Sequence, residues 1–280
     1  MGQYEYFAAV YDTFMEEVPR EKWAAFIKEK LDKAGIDKGI LLDLGCGTGS
    51  MSRIFADMGY DMIGVDGSFD MLNVAREEEM ANPKDILYLC QDFNELELYG
   101  TVAAVISCCD CMNYITEPED LKNVFKLVNN YLEKDGLFIF DINSEYKYRE
   151  LLADNTFAED AEDSAFIWQN EFNVKTKLNK YGLTLFISEN VLDEDSALLI
   201  DENDALADDS DEKVFFRYYE EHVQRAYSLD EIKVMLTEAG MEFVAAYVDY
   251  TNVVIDEENR NAERITIIAK EGFQEGKYYE

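Results

Sequence analysis

The first 145 residues alternate between short runs that are apolar throughout and segments whose apolar side chains recur at helical spacing. The apolar runs predict strands at 39–44, 60–65, 86–90, 102–108 and 137–141. The helical spacing predicts helices at 19–34, 50–58, 68–80 and 119–133. Apolar strands separated by helices are typical of a parallel sheet that is covered on both faces. We therefore expect an α/β fold.

The pattern changes after about residue 145, where strand-like alternation continues without helices between the strands. The segments 166–174, 183–192 and 214–227 alternate in this way, and the turn Lys180-Tyr181-Gly182 separates the first two. Such a pattern is typical of antiparallel strands. We predict an antiparallel sheet, inserted into the first domain over about 146–226.

After the insertion, the helix–strand pattern returns and completes the first sheet. Ser228 and Glu231 stand three residues apart and predict a capping box at the start of a helix over 228–239. Strands are predicted at 243–248 and 265–270.

Two segments of the insertion are strongly acidic. Residues 193–212 hold ten acids and no Lys or Arg, and residues 154–163 hold five acids. Because like charges repel, both are predicted to be solvated loops. The stretch 201–212 begins with Asp and ends with Glu like a calcium-binding loop, but Ala205 and Leu206 stand where that loop needs a ligand and a glycine.

Composition narrows the class of protein. The 280 residues are 48% apolar, which is enough for a packed core, and they carry a formal charge of −35. That charge disfavours general binding to nucleic acid or to an anionic membrane, and it favours a monomer or a small homo-oligomer. There is no apolar run long enough for a transmembrane helix, and the first 20 residues do not resemble a signal peptide. Five cysteines form a poor disulfide framework, so we expect a reducing, cytoplasmic location.

The most informative segment is the glycine loop at 45–49, between a predicted strand and a predicted helix. Gly45 and Gly47 allow a ligand to lie directly on the backbone, at a helix N-terminus. The third glycine, Gly49, comes one residue too early for a dinucleotide-binding fingerprint, and no Gly-Lys-Ser/Thr follows as in a phosphate-binding loop. The alternative is an ordinary glycine turn.

Acidic residues end the next two predicted strands. Asp66, about 20 residues beyond the glycine loop, is placed to accept the two hydroxyls of a ribose; the alternative is an N-cap for the following helix. Asp92 can accept a hydrogen bond from an adenine amino group while Phe93 packs on the ring. The alternative for Asp92 is a simple turn acid.

Together these segments resemble the class I S-adenosylmethionine-dependent methyltransferases. The matching pieces are LLDLGCGTGS at 41–50, GVDGSFDML at 64–72, LCQDF at 89–93, VISCCDCMNYI at 105–115, LTEAGMEFVAAY at 236–247 and ITIIAK at 265–270. The resemblance implies a Rossmann-like seven-stranded sheet, formed by residues 1–145 and 227–280, and S-adenosylmethionine as cofactor. The insertion at 146–226 would then be an antiparallel lid.

The resemblance also implies a set of cofactor-binding residues. These are Tyr11, Trp23, Asp43, Gly45, Cys46, Gly47, Asp66, Gly67, Ser68, Met71, Asp92, Phe93 and Cys109. The opening segment is similar to that of small-molecule N-methyltransferases and uncharacterised bacterial relatives, in which an N-terminal helix closes over the cofactor. Tyr11 and Trp23 would line its methionine end, where aromatic faces suit a sulfonium; the alternative is that both are core residues.

Few residues are candidates for catalysis. Asp110, Asn113 and Tyr114 follow the fourth predicted strand, and His222 is the only histidine of the chain. A general base is needed only if the attacking atom starts protonated, and a lone histidine on a strand is often structural. The cluster Cys108, Cys109 and Cys111 lacks the spacing of a zinc site, so no metal is expected.

We therefore predict a methyltransferase that moves a methyl group to nitrogen or oxygen of a small polar metabolite. Two alternatives remain at this point: a non-catalytic protein that binds S-adenosylmethionine and contacts a partner, and a nicotinamide-dependent dehydrogenase. The glycine spacing and the antiparallel end of the sheet disfavour the dehydrogenase.

Overall fold

A seven-stranded, mostly parallel sheet forms the centre of the larger part of the protein. The computed structural model describes residues 4–191, 213–256, 258–259, 261–273 and 277. The strands of this sheet are β1 Ile40–Leu44, β2 Asp61–Asp66, β3 Leu87–Cys90, β4 Val102–Ser107, β5 Leu132–Asn143, β10 Glu242–Val248 and β11 Arg264–Lys270. Their order is β10-β11-β5-β4-β1-β2-β3, and β11 runs antiparallel to both of its neighbours. The predicted Rossmann-like sheet is thereby confirmed.

Helices cover both faces of this sheet. They are α1 Tyr11–Phe14, α2 Arg20–Lys33, α3 Ser50–Asp57, α4 Phe69–Ala81, α5 Pro118–Tyr131 and α6 Leu229–Glu238. Successive residues of β1 serve different cores: Leu41 packs with Phe26 of α2 and Phe55 of α3, whereas Leu42 packs with Phe125 of α5. The chain places β2 and β3 on one side of β1, and then β4 and β5 on the other side. At this reversal of the strand order, a crevice opens between the carboxyl ends of β1 and β4.

The start of α6 forms as its sequence predicts. The Ser228 hydroxyl accepts a hydrogen bond from the backbone N–H of Glu231 at 3.2 Å, and the Glu231 carboxylate accepts one from the Ser228 N–H at 2.8 Å. The predicted capping box is confirmed.

None of the helices in the described part of the chain combines the length and the apolar character that a bilayer-spanning helix needs.

A second sheet, of four antiparallel strands, stands apart from the first. Its strands are β6 Thr156–Asp160, β7 Ser164–Asn173, β8 Leu178–Ser188 and β9 Phe215–Arg225, in that order. A six-residue π-helix, Lys147–Leu152, connects it to β5. The acidic run 193–212, including the calcium-loop-like stretch 201–212, lies outside the described residues.

The prediction that 154–163 is a loop is wrong, because β6 runs through it. All five residues of β6 are exposed, so no apolar pattern marks the strand. Its backbone pairs with β7, from Thr156 opposite Gln169 to Asp160 opposite Ala165. The rings of Phe157 and Trp168 pack together, with centroids 5.2 Å apart.

The predicted turn at 180–182 is also wrong, since these residues lie within β8. The turn between β7 and β8 falls at 174–177, where the Asn173 side chain accepts the N–H groups of Lys175 and Thr176. Gly182 makes room for a neighbouring ring: a Cβ there would lie 2.5 Å from the Tyr219 hydroxyl. A glycine inside a strand can mark such a close approach.

Candidate active site

The glycine loop joins the end of β1 to the first residue of α3. Gly45 has φ of +86°, and a Cβ there would lie 2.5 Å from the Cys111 sulfur. Gly47 has φ of +54°, and no atom lies within 4 Å of the position its Cβ would take. The loop therefore needs glycine for its conformation, and at Gly47 it leaves the backbone open to a ligand.

Asp66 closes the loop from the neighbouring strand. Its carboxylate accepts hydrogen bonds from the N–H groups of Gly47 and Ser68, both at 2.8 Å. Burial raises the pKa of this carboxyl above its usual value, against the effect of these backbone N–H groups. The alternative that Asp66 is the N-cap of α4 is wrong, because Ser68 is the N-cap and accepts from the N–H of Met71.

Asp92 and Phe93 stand at the end of β3, beside the glycine loop. The Asp92 side chain is exposed and accepts the N–H of Asn94 at 2.8 Å, so it also starts a short 3₁₀ turn. The Phe93 ring lies close to Gly45, since a Cβ on that glycine would stand 3.2 Å from the ring.

These elements enclose a pocket of about 590 Å³ at the carboxyl ends of β1, β2 and β4. The sequence-predicted cofactor residues that line it are Tyr11, Asp43, Gly45, Cys46, Gly47, Asp66, Gly67, Ser68, Met71, Asp92, Phe93 and Cys109. Its volume lies within the range of about 300–1,000 Å³ that is usual for small-molecule sites.

Trp23 does not line this pocket. It is buried in the core between α2 and the end of the sheet, and its ring stacks on Tyr250 with centroids 4.7 Å apart. The Arg264 guanidinium lies 5.2 Å from the centre of the same ring. The structure thus favours the core alternative for Trp23.

Asp43 lies beneath the glycine loop on β1. Its carboxyl is buried and accepts a hydrogen bond from the Ser52 hydroxyl at 2.6 Å. Burial raises the pKa of Asp43 from 3.8 to about 7, although the bond from Ser52 opposes the shift.

Several residues that line the pocket were not found from the sequence, among them Arg20, Thr48 and Ser50. One oxygen of Asp12 accepts hydrogen bonds from all three, at 3.2, 3.1 and 3.2 Å respectively. Arg20 is the only Lys or Arg among the described residues that line the pocket. The hydroxyls of the glycine loop were a usable signal, whereas nothing in the sequence brings Arg20 to this place.

Among the catalytic candidates, Tyr114 lines the pocket. Its hydroxyl lies 2.5 Å from the hydroxyl of Tyr4 and 2.5 Å from that of Tyr181, which belongs to β8. Burial holds the pKa of Tyr114 well above its usual value. This hydroxyl is therefore a hydrogen-bonding group rather than a base at neutral pH.

Asp110 and Asn113 do not line the pocket. Asp110 accepts hydrogen bonds from Arg264 and Gln224, each at 2.8 Å. Burial alone would raise the pKa of Asp110, but the charges of Arg264 and Lys147 and the hydrogen bonds from Arg264 and Gln224 together outweigh it and lower the pKa. Asn113 is fully buried, and its amide donates to the carbonyl of Arg225 at 2.8 Å.

The backbone at Cys109 and Asp110 takes a left-handed conformation, with φ of +63° and +51°. The buried carboxylate of Asp141 accepts the N–H of Cys109 at 2.9 Å and that of Asp110 at 2.7 Å. Arg264 and the Tyr250 hydroxyl also donate to Asp141. This loop is therefore held in a conformation that L-residues rarely adopt.

His222 is fully buried on β9 and does not line the pocket. Its Nε2 lies 3.1 Å from the Glu220 carboxylate, and its ring stacks on Tyr181 with centroids 4.7 Å apart. The histidine thus lies behind the tyrosines of the pocket wall. In the described part of the chain, no group of three His, Cys, Asp or Glu residues is arranged to hold a metal ion.

Comparison with known proteins places this geometry in a family. Residues 41–136 match the model of a methyltransferase domain. The chain is 30% identical over 250 residues to "Putative methyltransferase YqeM" of Bacillus subtilis, covering 89% of this chain and 90% of that protein.

Solved structures agree with this match. An S-adenosylmethionine-dependent methyltransferase from Clostridium acetobutylicum superposes with a TM-score of 0.79 at 29% identity, covering 97% of this chain and 100% of the other. CalS10, an amino pentose methyltransferase from Micromonospora echinaspora solved with bound S-adenosylmethionine, superposes with a TM-score of 0.68, covering 94% of this chain and 96% of its own. At 14% identity it shows only that the fold is shared. This chain belongs to the class I S-adenosylmethionine-dependent methyltransferases.

Proposed function

We propose that this enzyme methylates nitrogen or oxygen of a small polar metabolite, inside the pocket described above. The observation that carries the proposal is the way the pocket is walled. The glycine loop forms one side, Tyr4 and Tyr11 cover another, and Tyr114 links the third to Tyr181 of the four-stranded sheet. Such walls leave room for a cofactor and a small acceptor.

The residues present fit the nucleoside half of S-adenosylmethionine. Gly47 leaves open space where a side chain would stand, and Asp66 beside it uses its carboxylate for two backbone N–H groups. A carboxylate has about four acceptor positions, so about two remain for the ribose hydroxyls. Asp92 and Phe93 would bind the adenine by its amino group and its face.

The methionine half would lie beneath residues 4–14, which we call the N-terminal arm. Arg20 supplies the positive charge for the carboxylate of the methionine half. The hydroxyls of Thr48 and Ser50 donate to the same Asp12 oxygen as Arg20 and so lie close to it. Tyr11 offers an aromatic wall at this end. When bound, S-adenosylmethionine supplies an electrophilic methyl group on a positively charged sulfur.

The acceptor would lie against Tyr114 and Tyr4, under the four-stranded sheet. We propose that residues 146–226 act as a lid and that residues 1–145 and 227–280 form the cofactor-binding domain. In this arrangement Tyr114 orients the acceptor through its hydroxyl, whereas Asp110, Asn113 and His222 support the walls. An acceptor atom with a free lone pair suits this site, since transfer then needs only alignment and exclusion of water.

The charge of the chain supports a small acceptor. A formal charge of −35 repels nucleic acid and anionic lipid, so neither fits as the substrate. A cytoplasmic location, and a monomer or small homo-oligomer, remain parts of the proposal.

Calorimetric titration with S-adenosylmethionine, S-adenosylhomocysteine and NAD in parallel tests the cofactor site. We expect binding of the two adenosyl compounds and none of NAD. A panel of small amines and phenols, incubated with S-adenosylmethionine, then tests the acceptor by release of S-adenosylhomocysteine and by the mass of the product. Methyl transfer to a protein or RNA fraction, with none to small molecules, would contradict the proposed acceptor class.

A further inference from the structure

Glu220 is a buried carboxylate that faces the N-terminal arm from β9. Only 1% of the residue is exposed. Its oxygens accept the backbone N–H groups of Tyr4 at 3.1 Å, Tyr6 at 2.7 Å and Phe7 at 2.9 Å. The His222 Nε2 atom lies 3.1 Å from an oxygen of the same carboxylate. One carboxylate therefore accepts hydrogen bonds from three backbone N–H groups within residues 4–7.

The electrostatics of Glu220 agree with this role. Burial alone would raise the pKa of the carboxyl, but the hydrogen bonds from His222, Phe7 and Tyr6 outweigh it and lower the pKa. The carboxylate is thus ionised at neutral pH, and hydrogen bonds to a charged acceptor are stronger than those between neutral groups.

The backbone that Glu220 holds is strained at one residue. Tyr4 has φ of +62°, a left-handed conformation that persists in L-residues only where the surroundings impose it. Its ring packs against His222 with centroids 5.0 Å apart, and the Tyr6 ring stacks on Tyr218 of β9 at 3.9 Å. The four-stranded sheet therefore fixes the position of residues 4–7 of the arm.

The position of the arm decides the shape of the pocket. Tyr4 and Tyr11 line the pocket, and Asp12 carries the hydrogen bonds from Arg20, Thr48 and Ser50. Glu220 does not line the pocket itself. An effect of Glu220 on the cofactor must therefore pass through the groups it contacts, which are the arm and His222.

We propose that Glu220 is a positioning residue, which fastens the N-terminal arm to the four-stranded sheet and so holds Tyr4, Tyr11 and Asp12 over the methionine half of the cofactor. The inference rests on the proposed placement of that half beneath the arm. Without the carboxylate, the N–H groups of Tyr4, Tyr6 and Phe7 lose their acceptor and must be hydrated instead. The arm therefore moves away from the sheet, so that water can reach these groups.

The role predicts a split between two ligands. Adenosine fills only the half of the site formed by Asp66, Asp92 and Phe93, whereas S-adenosylhomocysteine also reaches the half under the arm. A carboxylate that merely stabilised the fold would weaken both ligands together. A positioning residue weakens S-adenosylhomocysteine alone.

The experiment compares Glu220→Gln and Glu220→Ala with wild-type protein and with Glu221→Gln. Glu221 is the matched control, because it is the next residue of β9 and its side chain is exposed on the other face. Calorimetry gives the affinities for both ligands, stopped-flow fluorescence gives the dissociation rate of S-adenosylhomocysteine, and hydrogen exchange with mass spectrometry follows the amides of residues 4–14 without ligand. Far-UV circular dichroism and Tm show whether each variant is folded.

We expect faster exchange of residues 4–14 in both Glu220 variants, and more so in Glu220→Ala. Dissociation of S-adenosylhomocysteine from Glu220→Ala should speed up by about tenfold or more, while the affinity for adenosine stays within about twofold. Unchanged exchange and dissociation would overturn the role of Glu220, as would an equal loss for both ligands. Wild-type protein that binds neither ligand would instead overturn the cofactor site, and the exchange of residues 4–14 would still show whether Glu220 holds the arm.

Discussion

Removal of the Asp66 carboxylate should weaken the binding of adenosine by a predictable amount. Two of its acceptor positions serve Gly47 and Ser68, and about two remain for the ribose. A hydrogen bond to a charged group contributes about 1.5 kcal/mol or more, so the two hydroxyls together are worth about 3 kcal/mol. Asp66→Ala should therefore bind adenosine roughly 150-fold more weakly.

Calorimetry with adenosine and 2′,3′-dideoxyadenosine separates this effect from damage to the glycine loop. Wild-type protein should prefer adenosine by roughly the same factor of 150, because the dideoxy compound lacks both hydroxyls. Asp66→Ala should bind the two compounds about equally, with the affinity that wild-type protein has for the dideoxy compound. Asp61→Ala, at the exposed first residue of the same strand, is the control and should behave as wild type.

Two results would refute this reasoning. Adenosine affinity within about twofold of wild type in Asp66→Ala would remove Asp66 from the ribose site. An unchanged preference for adenosine over the dideoxy compound would show that other groups bind the hydroxyls. A loss for both compounds alike would indicate a distorted loop, and the preference would then decide the matter.

Three other substitutions test the remaining contacts. Arg20→Met should weaken S-adenosylhomocysteine by about tenfold or more in calorimetry and leave methylthioadenosine, which has no carboxylate, unchanged; equal effects would remove Arg20 from the carboxylate site. Burial raises the pKa of Asp43 to about 7, so its contribution to stability is complete below the unfolded value of 3.8 and is lost as the pH rises through 7. Asp43→Asn should therefore flatten the fall in Tm across that window, and an unaltered pH profile would contradict the shifted pKa. Asp141→Asn should lower the free energy of unfolding in urea by about 3–5 kcal/mol, because it breaks a buried ion pair with Arg264. Asp249→Asn, which removes a half-exposed carboxylate 3.9 Å from the same arginine, should change it little.

The fold could be predicted because its signal is local. Strands of the large sheet are buried on both faces, so Leu41, Leu42 and Leu44 read as an apolar run whichever face each serves. Ser228 and Glu231 lie three residues apart, and their reciprocal hydrogen bonds depend on little else. Features of this kind can be recognised from a few consecutive residues.

The errors in the four-stranded sheet have the same origin. A solvated edge strand has no apolar face to mark it, so β6 reads as an acidic loop. Gly182 reads as a turn because glycine serves both turns and close contacts, and only the ring of Tyr219, 37 residues later, distinguishes the two.

The walls of the candidate site depend on contacts between distant segments. Asp110 stands in a suitable place for catalysis, but Arg264 and Gln224 are its partners, from 154 and 114 residues further along the chain. Glu220 binds backbone N–H groups, which every residue except proline carries, so no side-chain pattern marks the contact. The glycine loop, Asp66 and Asp92 could be picked out from the sequence because each stands at or just after the end of a predicted strand.

The exposed strand β6 has a consequence for how the protein behaves in concentrated solution. It forms one edge of the four-stranded sheet, and an open strand edge is a template for pairing with another molecule. Glu159 and Asp160 put carboxylates on this edge, so two copies repel each other before their backbones can meet. Acidification towards the isoelectric point of about 4.2 removes the net negative charge that keeps copies of the chain apart. Intermolecular β-aggregation should therefore begin at this edge on acidification, and neutral or alkaline buffers keep the protein dispersed.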